Sequence, residues 1–367
     1  MDPLYSDLLT AFGLEPETAS VSRIGRGHIH DTYLVERKGK SGPPLVLQKM
    51  NQYVFRDIGL LMKNIEQVTA HIAYKNRKAG KDPAKHGILL LEAEEGKSWI
   101  GNDDSGYWRM CWFIEDQVSF EVAENERIAF EGGKAIAHFQ WMLADLEPER
   151  IGDTIPQFHD LATRNMDFEK SMAIAGKSRR EKAADLIRFT KAHLPGVREL
   201  YTISEKGNFP VRLTHNDTKF NNILFNRKEK VTCMIDLDTV MKGYSWFDFG
   251  DALRTCASMA PEDEADTGKI GFRINIFEAF ARGFLSEGRD YLTSDEISVL
   301  HRAPMAFAFM QGMRFLTDYL NGDVYYKTVS EDDNYRRTLA QYVLMERMEE
   351  LQGEMAEIIE KVVAGQR

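Results

Sequence analysis

Cysteine is scarce. Cys111, Cys233 and Cys256 are the only three in 367 residues, far apart and each among apolar neighbours. A small odd set of this kind does not build a disulfide scaffold and fits a reducing compartment, so a cytoplasmic protein is expected. No apolar run approaches the ~18 residues that cross a bilayer. The opening "MDPLYSDLLTAFGLEPE" is acidic and lacks the basic start and apolar stretch of a signal peptide. No membrane association is expected. An excess of positive charge is also missing: the formal net charge is −10. Nonspecific nucleic-acid binding needs a basic face, so that class is excluded too. There is no complete Walker A loop. "GKS" occurs at 39–41, 96–98 and 176–178, but the glycine required five residues earlier is replaced by Leu34, Leu91 and Ser171. Internal repeats and low-complexity segments are absent.

The chain that remains is longer than one compact core usually holds, and two lobes are expected. Up to about residue 110 it reads as strands with one inserted helix. "ASVSRIGRG", "HIHDTYLVERKG" and "PPLVLQKMN" form three consecutive strands, and "HGILLLEAEEG" and "SGYWRMCWFIED" return to strand. Between them Ile58, Leu61, Ile65, Val68 and Ile72 make an apolar stripe at helical spacing. Beyond residue 118 amphipathic helices dominate, with the aromatic positions Phe130, Phe139 and Trp141 assigned to the core. The expected class is α+β: a small antiparallel-sheet N-terminal lobe, residues 1–112, a hinge at 113–118, and a larger helical lobe, 119–367. The cleft between lobes is the default ligand site.

"LTHNDTKFNNILF", residues 213–225, interrupts the helical region with a dense polar set. Asp217 and Asn222 are five apart, the spacing of a base aspartate and a Mg²⁺-binding asparagine in a kinase catalytic loop. Lys219 lies where a lysine can touch the transferred phosphate. "MIDLD" then supplies Asp236, 19 residues after Asp217, and the intervening segment reads as a hairpin that returns Asp236 beside Asn222. Phosphoryl transfer needs few protein groups: a carboxylate for the attacking hydroxyl, metal ligands and a cation. Asp217 is the candidate base, with an orienting duty, and Lys219 its catalytic companion. Asn222 and Asp236 are candidate metal ligands. Asp238, two residues along the same strand, is a candidate for metal or sugar. His215 braces the loop, and Asp248 and Asp251 in "WFDFGD" are structural.

These segments, with "GHIHDTYLV", "LQKMN" and "GMRFLTDYLNGDVYY", resemble the aminoglycoside phosphotransferase/choline kinase superfamily. Within it they are similar to the bacterial N-acetylhexosamine 1-kinase branch, over residues 27–326. The resemblance implies a protein-kinase-like fold and ATP- and Mg²⁺-dependent phosphorylation of the anomeric hydroxyl of N-acetylglucosamine or N-acetylgalactosamine. The partners are then the sugar and ATP, on a monomer or weak dimer. Kinases of choline, homoserine or an aminoglycoside are the alternative, and a catalytically dead binding module is an alternative of another class.

The remaining candidates follow from the same frame. Gly25 and Gly27 in "GRGH" fit a glycine-rich turn over the phosphates, and the resemblance places His28 toward substrate. Kinases carry a lysine on the third strand, paired with a glutamate on the next helix. Here Gln48 takes the cleft position if Val46 and Gln48 share a face, and Lys49 takes it if the register slips by one. Glu66 is the helix partner. Phe113, Ile114 and Glu115 form the extended segment expected to read adenine. Arg314 and Tyr319 are polar residues in an apolar helix, and the resemblance raises Arg314 and Tyr325 as sugar contacts.

Overall fold

The computed structural model describes residues 2–24, 29–37, 42–94, 96–207 and 209–365. The N-terminal lobe is a five-stranded antiparallel sheet of β1 (Ala19–Arg23), β2 (Asp31–Arg37), β3 (Leu45–Met50), β4 (Trp99–Asn102) and β5 (Gly106–Trp112), in the order β1-β2-β3-β5-β4. Period-two alternation fixes its faces. Leu45 and Leu47 of β3 turn inward with Val35, Trp108 and Met110, against Leu8 and Leu9 of α1 (Pro3–Ala11). Val46 and Gln48 therefore face the other way, toward the second lobe. The expected stripe is found on α2 (Ile58–Lys78), which Asp57 caps through the Leu60 N–H at 2.8 Å. Ile58, Leu61 and Ile65 bury against Met50 and Phe55.

Two N-terminal expectations change. "HGILLLEAEEG" is not a strand: it contributes only an isolated bridge, Leu90 to Cys111. The edge strand is instead "WIGN", which pairs with β5 from Trp99 opposite Arg109 to Asn102 opposite Gly106.

Among the described residues the larger lobe packs ten α-helices around a few short strands. Its helices are α3 (Glu126–Leu143), α4 (Leu161–Ile174), α5 (Lys177–Lys182), α6 (Ala184–Lys206), α7 (Ser245–Cys256), α8 (Ile274–Gly288), α9 (Ser294–Ser298), α10 (Ala303–Asn321), α11 (Asp333–Glu350) and α12 (Gln352–Gly365). β6 (Gln117–Val118), β8 (Ile223–Asn226) and β9 (Val231–Met234) form one small sheet. β7 (Arg212–Thr214) and β10 (Met241–Gly243) form another. α3 and α8 cross at reciprocal glycines. A Cβ on Gly133 would lie 2.1 Å from the Phe280 carbonyl oxygen, and one on Gly283 would lie 1.9 Å from that of Phe130. Only residues without side chains permit that approach. Phe139 is buried as expected, but Trp141 is 42% exposed, on the outer face of α3, where the Lys75 ammonium lies 4.9 Å from its ring. No helix among the described residues is long and apolar enough to cross a membrane.

Candidate active site

β7 delivers the chain to the loop that holds the polar set. Asp248, wholly buried in the first turn of α7, fixes that loop by its backbone. Its carboxylate accepts the N–H of His215 at 2.9 Å and of Asn216 at 2.8 Å, and also Gln140 Nε2 at 2.8 Å. The Thr218 hydroxyl donates to the Asp248 carbonyl at 2.7 Å. Held this way, Asn216 takes a left-handed φ of 63° and the chain turns sharply before Asp217. His215 ties the two arms of the site. Its Nδ1 accepts the Asp217 N–H at 3.3 Å, so the ring proton sits on Nε2, which donates to the Ile235 carbonyl at 2.9 Å. A second histidine, His159, reaches in from the segment before α4 and donates from Nε2 to the Asn216 carbonyl at 2.8 Å. Nothing in the motif spacing marks His159, which lies 57 residues away.

A short helical turn, Phe220–Asn222, leads into the β8–β9 hairpin, and the Ile235 N–H donates to the Asn222 carbonyl at 2.9 Å. The hairpin therefore returns Asp236 beside Asn222. Asn222 Nδ2 donates to the Asp217 carbonyl at 2.9 Å and to Asp217 Oδ2 at 3.3 Å, while Lys219 Nζ lies 3.4 Å from Asp217 Oδ1. The Asp217 charge, and after it Asp236, raises the Lys219 pKa and keeps its ammonium charged despite burial. Asp236 is not on a strand. It follows β9 with φ 62° and ψ 56°, and Leu237–Thr239 form a helical turn after it. Strand alternation thus does not govern Asp238. The Asp236 carboxylate has no hydrogen bond or ion pair among the described residues. Burial, then the charges of Asp238 and Asp217, push its pKa up to about 6. An unpartnered carboxylate facing a second one, beside a carboxamide oxygen whose nitrogen is already used, is a hard-oxygen donor set that suits Mg²⁺.

The N-terminal lobe closes over this loop with Gln48, not Lys49. Gln48 is opposite Arg109 in the β3–β5 register. It accepts from Arg109 Nε at 2.9 Å and donates to Thr32 Oγ1 at 3.2 Å. Lys49 is on the far face, its ammonium 5.7 Å from the Trp108 ring centre. Glu66 pairs with neither: it accepts from the Ser98 hydroxyl. Asp238, expected to meet metal or sugar, is buried instead in a two-pronged pair with Arg109, at 2.7 and 2.6 Å. Burial opposes ionisation of Asp238, but Arg109 and then His30 outweigh it and hold the carboxyl well below the usual range. The sequence reading missed Arg109, although a charge inside the apolar strand "YWRMCW" was a visible signal.

Gly25, Gly27 and His28 lie outside the described residues. In the hinge segment the Phe113 N–H donates to the Pro44 carbonyl at 3.0 Å, and the Glu115 carbonyl accepts Gln117 Nε2 at 2.9 Å. Of the N–H groups in this segment, those of Ile114 and Glu115 have no partner among the described residues. Arg314 of α10 lies close enough for the Asp251 and Asp217 charges to act on it. Its guanidinium lies 5.0 Å from the Phe158 ring centre and 5.9 Å from that of Tyr326, and donates to Gln311 Oε1 at 3.2 Å. No carboxylate lies within ion-pair distance of it among the described residues. Burial would lower its pKa, but Tyr326, Tyr325, Asp251 and Asp217 raise it on balance. Tyr325 is half-exposed at the rim, its ring edge-on to Tyr326 at 4.8 Å. Asp318, which the sequence did not single out, shapes this rim by accepting the N–H groups of Val324, Tyr325 and Tyr326 at 2.8–3.0 Å. Asp251 is structural, paired with Arg254 at 2.9 Å.

The profile of the phosphotransferase enzyme family matches residues 20–287, well over half of the chain. Among solved structures, an ethanolamine kinase of Plasmodium vivax is similar over 92% of this chain and 87% of its own, with a TM-score of 0.59 and 12% identity. An aminoglycoside phosphotransferase of Alicyclobacillus acidocaldarius is similar over 94% and 93%, with a TM-score of 0.58 and 12% identity. A spectinomycin phosphotransferase, solved in complex with ADP and spectinomycin, is similar over 98% of each chain, with a TM-score of 0.50 and 14% identity. At these identities the structural likeness speaks for the two-lobe kinase-like fold. The profile match over the catalytic loop carries the assignment: this chain belongs to the phosphotransferase enzyme family.

Proposed function

We propose that the chain is an ATP- and Mg²⁺-dependent sugar kinase that phosphorylates the anomeric O1 of N-acetylglucosamine or N-acetylgalactosamine. Two observations support this reading together: Asp217, Asn222 and Asp236 converge, and the Arg314 guanidinium, without a carboxylate partner among the described residues, is close enough for the Asp217 charge to act on it.

In the reaction Asp217 orients the acceptor hydroxyl and receives its proton as the oxygen attacks the terminal phosphorus. The bond from that phosphorus to the bridging oxygen breaks, and ADP takes the electron pair. Lys219 places its ammonium beside the transferring group. Mg²⁺, held by Asn222 and Asp236, would neutralise phosphate charge. Gln48 gives hydrogen bonds but no charge, and the segment 113–115 reads adenine through the N–H groups of Ile114 and Glu115. Arg314 and Tyr325 take the acceptor hydroxyls or its N-acetyl oxygen.

A choline-type acceptor is disfavoured by the same arginine. A quaternary ammonium needs open aromatic faces, and Arg314 already covers those of Phe158 and Tyr326. A coupled ADP-release screen over hexosamines, hexoses, choline, homoserine and aminoglycosides, with NMR of the product, tests the reading. Phosphate at O1 of an N-acetylhexosamine is expected. Phosphate at O6, or turnover of amines alone, overturns the substrate. Nucleotide binding without turnover of any acceptor favours an inactive binding module.

A further inference from the structure

We propose that Asp238 is the point by which the N-terminal lobe positions Asp236, with Arg109 as the positioning residue and His30 as its second prong. The inference rests on reading Asp236 as a magnesium ligand.

Asp236 sits between two fixed neighbours. On one side both polar groups of Ile235 are bound within the larger lobe, its N–H to Asn222 and its carbonyl to His215. On the other, the Asp238 carbonyl accepts the Thr154 hydroxyl at 2.8 Å, while the Asp238 carboxylate is gripped from the opposite lobe. Arg109 is itself aimed: Gln48, across the strand pair, takes its Nε–H, and NH1 and NH2 are left to meet both carboxylate oxygens. A guanidinium held at three of its five N–H bonds cannot swivel.

His30, Asp236 and Asp238 bring one ligand atom each within 4.8 Å of one another, which by distance alone would suit a cation. The chemistry says otherwise. His30 Nδ1 accepts the Asn51 N–H at 3.1 Å, so its proton is on Nε2, and a protonated nitrogen does not ligate. That Nε2 is buried, has no hydrogen-bond partner, and lies 3.5 Å from Asp238 Oδ1. Both Asp238 oxygens already accept from Arg109. Arg109 thus donates to both Asp238 oxygens, the His30 Nε2–H faces Asp238 from 3.5 Å without a hydrogen bond, and Asp236 alone of the three carboxylate and imidazole groups has no partner among the described residues. In the kinase pattern an ion pair within the N-terminal lobe sets the cleft. Here the pair spans the lobes and ends two residues from Asp236.

Arg109→Lys keeps the charge and loses the fork. Calorimetric titration of ADP, with Mg²⁺ and with EDTA, separates positioning from mere structure. The parent is expected to bind ADP more tightly with Mg²⁺. In the variant, binding in EDTA should stay at the parent value while the gain from Mg²⁺ shrinks by about 10- to 100-fold, the usual effect of losing a residue that orients a metal ligand. An undiminished gain, or an equal loss with and without metal, overturns the proposal. His30→Leu, which leaves the Arg109–Asp238 pair in place, gives the same comparison should Arg109→Lys not fold: a reduced gain supports the proposal and an unchanged one sinks it. A parent that shows no Mg²⁺ effect at all would instead remove the reading of Asp236 on which this rests.

Discussion

Asn222 turns its amide nitrogen on Asp217, 2.9 Å from the carbonyl and 3.3 Å from a carboxylate oxygen. One side chain thereby fixes the candidate base and leaves its own oxygen free for a cation. Asp217→Asn keeps the shape and removes the proton acceptor. Turnover should fall by about 10²- to 10⁴-fold, while nucleotide affinity, measured by titration, stays within experimental reach of the parent. Near-normal turnover would assign the base elsewhere.

Asp248 holds the loop from below. Its carboxylate is fully buried and meets three N–H donors. Asp248→Asn would set an amide NH₂ against one of those donors. Leaving buried donors unpaired costs about 1–3 kcal/mol each, with incomplete additivity. A loss of about 2–4 kcal/mol in chemical denaturation is expected, with a larger fall in kcat than in nucleotide affinity. Unchanged stability would mean that the loop's other bonds, from His159, His215, Thr218 and Thr239, suffice to hold it.

The catalytic loop could be read because its chemistry lies within one short stretch and a hairpin, so spacing alone brings Asp217, Asn222 and Asp236 together. The strand faces of β3 could be read because Leu45 and Leu47 alternate with Val46 and Gln48. The Arg109–Asp238 pair could not, since its partners are 129 residues apart and meet only when two lobes close. Asp238 reads as a strand residue because nothing in "MIDLD" announces that Asp236 adopts a left-handed backbone. "WIGN" escaped notice as a strand because it is short and contains glycine, and the more apolar "GILLLEAE" attracted the assignment instead. The aromatic stripe of Phe130, Phe139 and Trp141 reads as core, yet Trp141 lies on the outer face of α3 with the Lys75 ammonium over its ring.

The crossing of α3 and α8 is a separate test of packing. Gly283→Ala places a methyl 1.9 Å from a backbone carbonyl, where no side chain can yield. The helices must separate, and overpacking of this kind costs about 1–3 kcal/mol or more. Thermal melts should show a clear fall in Tm, whereas Gly353→Ala, whose Cβ meets nothing within 4 Å, should not.

Stability of the metal-free protein should depend on pH through Asp236. Its folded pKa of about 6 lies above the unfolded value of 3.8. Between the two, the folded chain binds the proton more tightly. The contribution is therefore complete below about pH 4 and is lost as pH rises through about 6. Asp236→Asn removes it. In EDTA the variant's stability relative to the parent should rise across that window and level off above it. Mg²⁺ added to the parent should reverse the trend, because a bound cation favours the ionised carboxylate. A parent–variant difference that stays flat with pH would contradict the assigned shift.

Arg314 separates the acceptor classes most directly. Its guanidinium is the one cation on α10, the Asp217 charge acts on it, and it has no carboxylate in ion-pair contact among the described residues. If the acceptor is a neutral sugar with hydroxyl and N-acetyl oxygens, Arg314→Met removes hydrogen bonds from a charged donor, worth about 1.5–3 kcal/mol. The acceptor KM should then rise by about 10- to 100-fold, with the nucleotide KM unchanged. If the acceptor were a cationic amine, the same substitution would relieve repulsion and expose the Phe158 and Tyr326 rings, and the acceptor KM would fall. The direction of that one change, measured by steady-state kinetics with each acceptor, distinguishes a sugar pocket from an amine cage.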